Sequence, residues 1–287
     1  MGSTTLRIAV LAAGIAVGSS AQTLAQGASP AQPPKPEMRE NCPGLVASRS
    51  PVFRRASFDP ASLKLAALAA DQVRITFVGH ATFLLESPQL VRIATDYNDY
   101  IRPNVLPDIV TMNHAHSTHY TDRPDPRIAH VLRGWAGNEQ PARIDMTFKD
   151  VRVRNVPTNI RSWGGGETER HGNSIFIFEI ANLCIAHLGH LHHTLTQAQL
   201  DEMGRVDVVM VPVDGSYTLD LDGMIEVLHA LKAPLLIPMH YFSGYSLDRF
   251  LTRMRQEWEI EVLEIPSAVI SKTTLPVKPK ILVMPGR

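Results

Sequence analysis

Seven of the twelve histidines in this 287-residue chain fall in two short stretches, His114-Ala115-His116-Ser117-Thr118-His119 and His187-Leu188-Gly189-His190-Leu191-His192-His193. The first follows the apolar run Pro107-Asp108-Ile109-Val110-Thr111-Met112, which reads as a buried strand. If the backbone stays extended, His114 and His116 point to one side, and a turn after them brings His119 back to the same point. Neutral imidazoles converging at a strand end are nitrogen donors for a metal ion, with zinc or iron the natural choices. The second stretch follows another apolar run, Leu183–Ala186, and Gly189 permits a sharp turn there. His240 ends a third, Leu235-Leu236-Ile237-Pro238-Met239. Three strand ends carrying histidine predict one shared metal site, because the loops at strand ends are where a fold places functional groups.

The elements that must position these residues alternate in a recognisable way. Strands are predicted at Val73–Val78, Thr82–Glu86, Val91–Thr95 and the run before His114, then at Ile128–Leu132, Arg143–Phe148, Val151–Val156 and Ser174–Ile180. From Leu183 the pattern becomes strand and helix in turn. Strands are expected at Leu183–His187, Val206–Val211, Leu235–Met239 and Ile260–Glu264. Helices are expected at Thr196–Met203, opened by a Thr194-x-x-Gln197 capping box, at Leu221–Leu231 and at Leu247–Trp258. A short helix is expected at Ala61–Ala70, and the residues after Glu264 read as a surface tail. Strands first and β-α alternation later indicate an α/β sandwich of two stacked sheets between helices.

Composition bounds the function. Twenty-eight Lys and Arg balance 28 Asp and Glu, so no basic surplus points to nucleic acid, and 44% hydrophobic residues suit one sizeable globular core. Residues 1–25 read as a signal peptide: Arg7, the apolar run Ile8–Val17, and small residues at Ser19-Ser20-Ala21 or Thr23-Leu24-Ala25 for cleavage. The apolar run is too short for a stable membrane span. Export is expected, to a periplasm if the source is Gram-negative. A Pro-rich arm follows at 26–60, then one domain at 61–287. Of the two cysteines, Cys184 lies in an apolar run, so a buried thiol is expected rather than a Cys42–Cys184 disulfide. Oligomeric state is left open.

Five stretches, taken in order, resemble the metallo-β-lactamase superfamily, closest to its branch of lactonases and N-acylphosphatidylethanolamine-type phospholipases. They are Gly79-His80-Ala81-Thr82-Phe83-Leu84, Asp96 after a strand, His114-x-His116-x-Thr118-His119, Ala186-His187-Leu188-Gly189-His190, and Ile237-Pro238-Met239-His240-Tyr241. The resemblance implies a four-layer αββα sandwich with its metal centre at one edge of the sheets. It also implies His114, His116, His119 and His240 as ligands, with Asp96 supporting a ligand histidine. The sequence departs from the family in three places. Thr118 stands where the family has Asp, His190 where it has a bridging Asp, and Asn159 where another ligand histidine is expected.

The two lost carboxylates are those that hold a pair of ions, so His114, His116, His119, His190 and His240 form a nitrogen-rich set suited to one ion rather than two. Zinc is expected first, with iron or manganese as alternatives. Thr118 can hydrogen-bond a water, and His190 is a candidate base. His80 is expected at the cleft as a substrate contact, and His187 and Asn159 near the metal or the substrate. His192 and His193 read as surface or cleft lining, and Trp163 with Gly164–Gly166 as a loop over the cleft. Three functions follow: a hydrolase acting on a small-molecule ester, lactone, amide or phosphodiester; a catalytically degenerate metal- or ligand-binding protein on the same fold; or a mononuclear iron oxidoreductase.

Overall fold

The computed structural model describes residues 67–137, 140–162 and 168–286. The signal-like segment, the Pro-rich arm and the 163–166 loop lie outside them. So does most of the Ala61–Ala70 helix, whose residues 67–70 are coil and turn. Among the described residues no helix is long and apolar enough to cross a membrane.

Two sheets face each other. The first has strand order β13-β1-β2-β3-β4-β5, built from β1 (Gln72–Gly79), β2 (Thr82–Glu86), β3 (Arg92–Ala94), β4 (Ile109–Met112), β5 (His130–Arg133) and β13 (Ser267–Ser271). The second runs β12-β14-β11-β10-β9-β8-β7-β6. Its strands are β6 (Asp145–Phe148), β7 (Val151–Ile160), β8 (Glu169–Ile180), β9 (Leu183–His187), β10 (Val208–Pro212), β11 (Leu235–Met239), β12 (Glu259–Val262) and β14 (Lys280–Val283).

Period-2 alternation sorts the side chains between layers. In β8, Phe176 and Phe178 enter the core between the sheets, together with Ile75, Phe83, Leu85, Ile93 and Ile109 of the first sheet and Met210, Ile237 and Met239 of the second. Ile175 and Ile177 point the other way. There they join Val209, Val211 and Leu236 under α1 (Gln197–Met203), α2 (Leu221–Leu231) and α3 (Gly244–Met254). This double burial is why β10 and β11, parallel and central, read as unbroken apolar runs. The outer face of the first sheet is covered by Tyr97, Tyr120, Ile128 and Trp135 over Ala94, Val110 and Met112.

Three expectations need correction. The C-terminal residues are not a surface tail: β13 pairs antiparallel with β1, and β14 inserts between β11 and β12. Each is a four- or five-residue strand, and the Pro and Lys residues between them mask the signal. The capping box of α1 is Thr196 with Gln199, two residues after the pair expected. Cys184 is disulfide-bonded rather than a free thiol, and its partner lies outside the described residues.

Candidate metal centre

The chain segments that leave β3, β4, β9, β10 and β11 meet at one edge of the sandwich. β3 runs parallel to β4, and β9, β10 and β11 run parallel to one another, so within each sheet their carboxyl ends share an edge, the usual place for a ligand on parallel strands. One ring nitrogen from each of His116, His119, His190 and His240 lies there, all within 4.8 Å of one another. His116 Nε2 is 2.9 Å from His190 Nε2, and His119 Nε2 is 3.2 Å from His240 Nε2. Local backbone makes this possible. Gly189, at φ +60°, lets the chain turn between His187 and His190, and a Cβ there would sit 2.4 Å from Asn113 Nδ2. His240 itself adopts φ +54°, and its N–H donates to the His80 carbonyl at 2.8 Å, tying the two sheets together beside the site.

Each inward-pointing ring is held by its other nitrogen. His119 Nδ1–H donates to Asp96 Oδ2 at 2.7 Å, and His240 Nδ1–H donates to Asp214 Oδ1 at 3.0 Å. Thr118 Oγ1 lies 2.7 Å from His116 Nδ1 and 3.1 Å from His80 Nε2, and His192 Nε2 lies 2.6 Å from His190 Nδ1. Metal-binding histidines are oriented in this way, through the nitrogen that does not bind. Asp96 is itself fixed by Asn113 Nδ2 at 3.0 Å. With their Nδ1 protons committed to carboxylates, His119 and His240 bring their Nε2 atoms within 3.2 Å of each other, placed to take a cation between them. In a tetrahedral zinc set with bonds of about 2.0–2.1 Å, nitrogens stand roughly 3.3 Å apart. The donor set fits a metal ion.

The electrostatics agree. Burial, reinforced by neighbouring histidines, holds the imidazoles of His116, His119 and His190 below the ordinary histidine range, and it takes His80 down to about 3. They are therefore neutral at pH 7, as ligation requires. Burial pushes the Asp96 carboxyl up to about 6, still ionised at neutral pH. Burial also pushes Asp214 upward, but hydrogen bonds from His240, Thr218 and the Ser216 amide overcome it and hold the carboxyl well below its usual range. Two buried carboxylates, Asp96 and Asp214, stand behind the donor rings and match the charge of one dication.

A pH prediction follows. Below pH 6.5 the histidines of an unfolded chain take up protons that these buried rings refuse. The folded state then binds fewer protons, and stability falls with pH. Each such ring contributes about 1.4 kcal/mol of loss per pH unit until its own folded pKa is reached; that is about 4 for His192 and about 3 for His80. Asp96, with its raised pKa, opposes this near pH 6 as a single group. The melting temperature of chelator-treated protein is expected to drop steadily from pH 6.5 to about pH 4. A flat profile between pH 7 and 5 would contradict a buried neutral cluster.

Other expected residues go elsewhere. His114 does not join the group: its side chain is 40% exposed, its Nδ1 lies 2.5 Å from Glu169 Oε1, and its ring stacks on Trp135. β4 ends at Met112, so 114 and 116 lie in a loop, where strand alternation no longer puts them on one side. His187 is buried and donates Nε2–H to the Ala81 carbonyl at 2.8 Å, a bond that closes the sheet edge and faces no substrate. Asn159 Oδ1 accepts the His171 amide across β7 and β8. His80 stands at the mouth, its ring centroid 4.2 Å from that of His240. Asp214 escaped sequence reasoning, and His192, read as surface or cleft lining, is instead buried behind His190. The usable signal for Asp214 was its place two residues after the buried strand β10; Asp-Gly reads first as a turn.

Residues 74–240 match the beta-lactamase superfamily domain. A Thermotoga maritima protein assigned to the Zn-dependent hydrolases of the metallo-β-lactamase superfamily is similar over 75% of this chain and all of its own, at 30% identity and a TM-score of 0.55. A metal-dependent hydrolase of Thermoplasma acidophilum is 27% identical over 192 residues, 60% of this chain and 84% of that protein. One of Archaeoglobus fulgidus is 24% identical over 223 residues, 69% and 96% of the two chains. With its two stacked sheets, its histidines at their shared edge and this match over more than half its length, the chain belongs to the metallo-β-lactamase superfamily.

Proposed function

We propose that this protein is a metal-dependent hydrolase that binds one ion at the histidine group and uses it on a small-molecule ester, lactone, amide or phosphodiester. The observation that carries the reading is the inward convergence of Nε2 atoms whose rings are each fixed from behind by Asp96, Asp214, Thr118 or His192. The hydrolase names of the relatives support the reaction class. Among the described residues no carboxylate joins the group, which favours one ion over two and zinc over harder metals, with iron or manganese as the alternatives. When bound, the ion supplies a water acidic enough to attack near neutral pH and polarises the carbonyl or phosphoryl oxygen.

The chain's own residues orient and exclude. Asp96, Asp214 and Thr118 keep the donor rings aimed, and burial keeps bulk water off His119, His190 and His240. Phe242 forms one wall of the mouth, its ring 5.2 Å from His240 and 5.5 Å from His80, with Tyr217 against it. Both rings are solvent-exposed, a surface suited to an apolar part of the substrate. Export is part of the proposal: the signal-like residues 1–25 and the disulfide at Cys184 both favour an oxidising compartment.

The test is a panel of esters, lactones, amides and phosphodiesters assayed as purified, after chelation, and after return of zinc, iron or manganese. The expected result is activity on one class that chelation removes and one metal restores. Activity indifferent to chelation would overturn the reading.

A further inference from the structure

Four histidine donors around one zinc ion would close it to water, as in a structural site, whereas a hydrolytic ion needs an open position. The directions of the hydrogen bonds decide which of the four rings are ligands. The Arg161 backbone N–H donates to His192 Nδ1 at 2.6 Å. An amide only donates, so His192 Nδ1 carries no proton, and the neutral ring carries its proton on Nε2. That Nε2–H faces His190 Nδ1 at 2.6 Å, which therefore accepts. His190 must then carry its own proton on Nε2, the nitrogen that points into the group.

The series continues without conflict. His190 Nε2–H donates to His116 Nε2 at 2.9 Å, His116 Nδ1–H donates to Thr118 Oγ1 at 2.7 Å, and the Thr118 hydroxyl donates to His80 Nε2 at 3.1 Å. Reversing the first histidine link would leave His192 with no proton on either nitrogen. His119 and His240 stand outside the series. Both give Nδ1–H to carboxylates and turn Nε2 lone pairs inward.

On the reading proposed above, we infer that His116, His119 and His240 are the ligands, and that His190 is a fixed N–H donor beside the position they leave open. His190 then serves neither as a ligand nor as a base, the two roles its place in the sequence suggests: its inward nitrogen has a proton and its outward one is occupied by His192. With His116 Nε2 holding an ion, the His190 N–H would have no acceptor there and would be left for an oxygen of the substrate or of the attacking water, the placement by which a preorganised donor stabilises developing negative charge. His192 and the Arg161 amide act through His190, as positioning groups that fix its tautomer.

Two measurements test this, and they fail separately from the hydrolase reading. Nitrogen NMR of the histidine rings in metal-free wild-type protein is expected to show His190 as the Nε2–H tautomer; the Nδ1–H tautomer would overturn the inference. Zinc titration of His190→Gln is expected to keep about one equivalent, with affinity within about tenfold of wild type, while turnover falls about 10²-fold. His116→Ala loses the zinc. If His190→Gln loses zinc as completely as His116→Ala, His190 is a ligand and the inference is wrong. A wild-type chain that binds no zinc, iron or manganese removes the hydrolase reading and, with it, the three-ligand assignment.

Discussion

Replacing His119 or His240 by alanine is expected to abolish stoichiometric metal binding and to lower hydrolysis by about 10³-fold or more, the scale of losing metal activation of water and electrophile together. Each variant removes one of the two lone pairs that face each other across 3.2 Å. Each also takes one N–H donor from a buried carboxylate, Asp96 or Asp214. Loss of a hydrogen bond to a charged group costs about 1.5–3 kcal/mol, so both variants should melt earlier as well. Metal analysis on protein that circular dichroism shows to be folded separates the two effects. His114→Ala is the internal control: its side chain pairs with Glu169 and stacks on Trp135, so metal content and the activity per bound ion should stay near wild type. Loss of metal in His114→Ala, or its retention in His119→Ala, would show that the ligands have been misassigned.

Asp214→Asn is expected to have the second largest effect, although the residue touches no substrate. One carboxylate collects six donors. Oδ1 accepts from the Thr218 hydroxyl and His240 Nδ1, and Oδ2 from the amides of Ser216, Tyr217 and Thr218 and the Ser216 hydroxyl. An amide in its place must point an NH2 group at donors on one side or the other, and the negative charge behind His240 is lost. Loss of such a supporting group lowers metal affinity by about 10–100-fold. Because the same carboxylate shapes the loop after β10, stability is expected to fall by about 3 kcal/mol or more. Competition with a chelator of known affinity reads the first and thermal melting the second. An Asp214→Asn chain that binds zinc within threefold of wild type would show that Asp214 shapes the loop without supporting the ligand.

The parts of this account visible in sequence are those where chemistry and periodicity coincide. His116, His119 and His240 could be read because each follows an apolar run too regular to be a loop, and Asp96 because it closes another such run. The two stacked sheets were legible from the same runs. What could not be read depended on contacts between distant segments. His114 sits in the same motif as His116, but its amide donates to the Gly172 carbonyl and its ring is drawn to Glu169 and Trp135, none of which is near it in sequence. The role of His192 rests on the Arg161 amide, 31 residues away. The last two strands escaped because β13 and β14 are short and lack the alternation of a half-buried strand; each is fixed by its partners, β1 for one and β11 with β12 for the other.

The central claim is one metal ion held by histidines alone at the sheet edge. Metal content of the full chain, purified without chelator and measured by mass spectrometry with anomalous scattering from crystals, addresses it directly. One ion per chain is expected, with anomalous density between the Nε2 atoms of His116, His119 and His240. Two ions per chain, no metal at all, or an ion seated at His114 and Glu169 would contradict it.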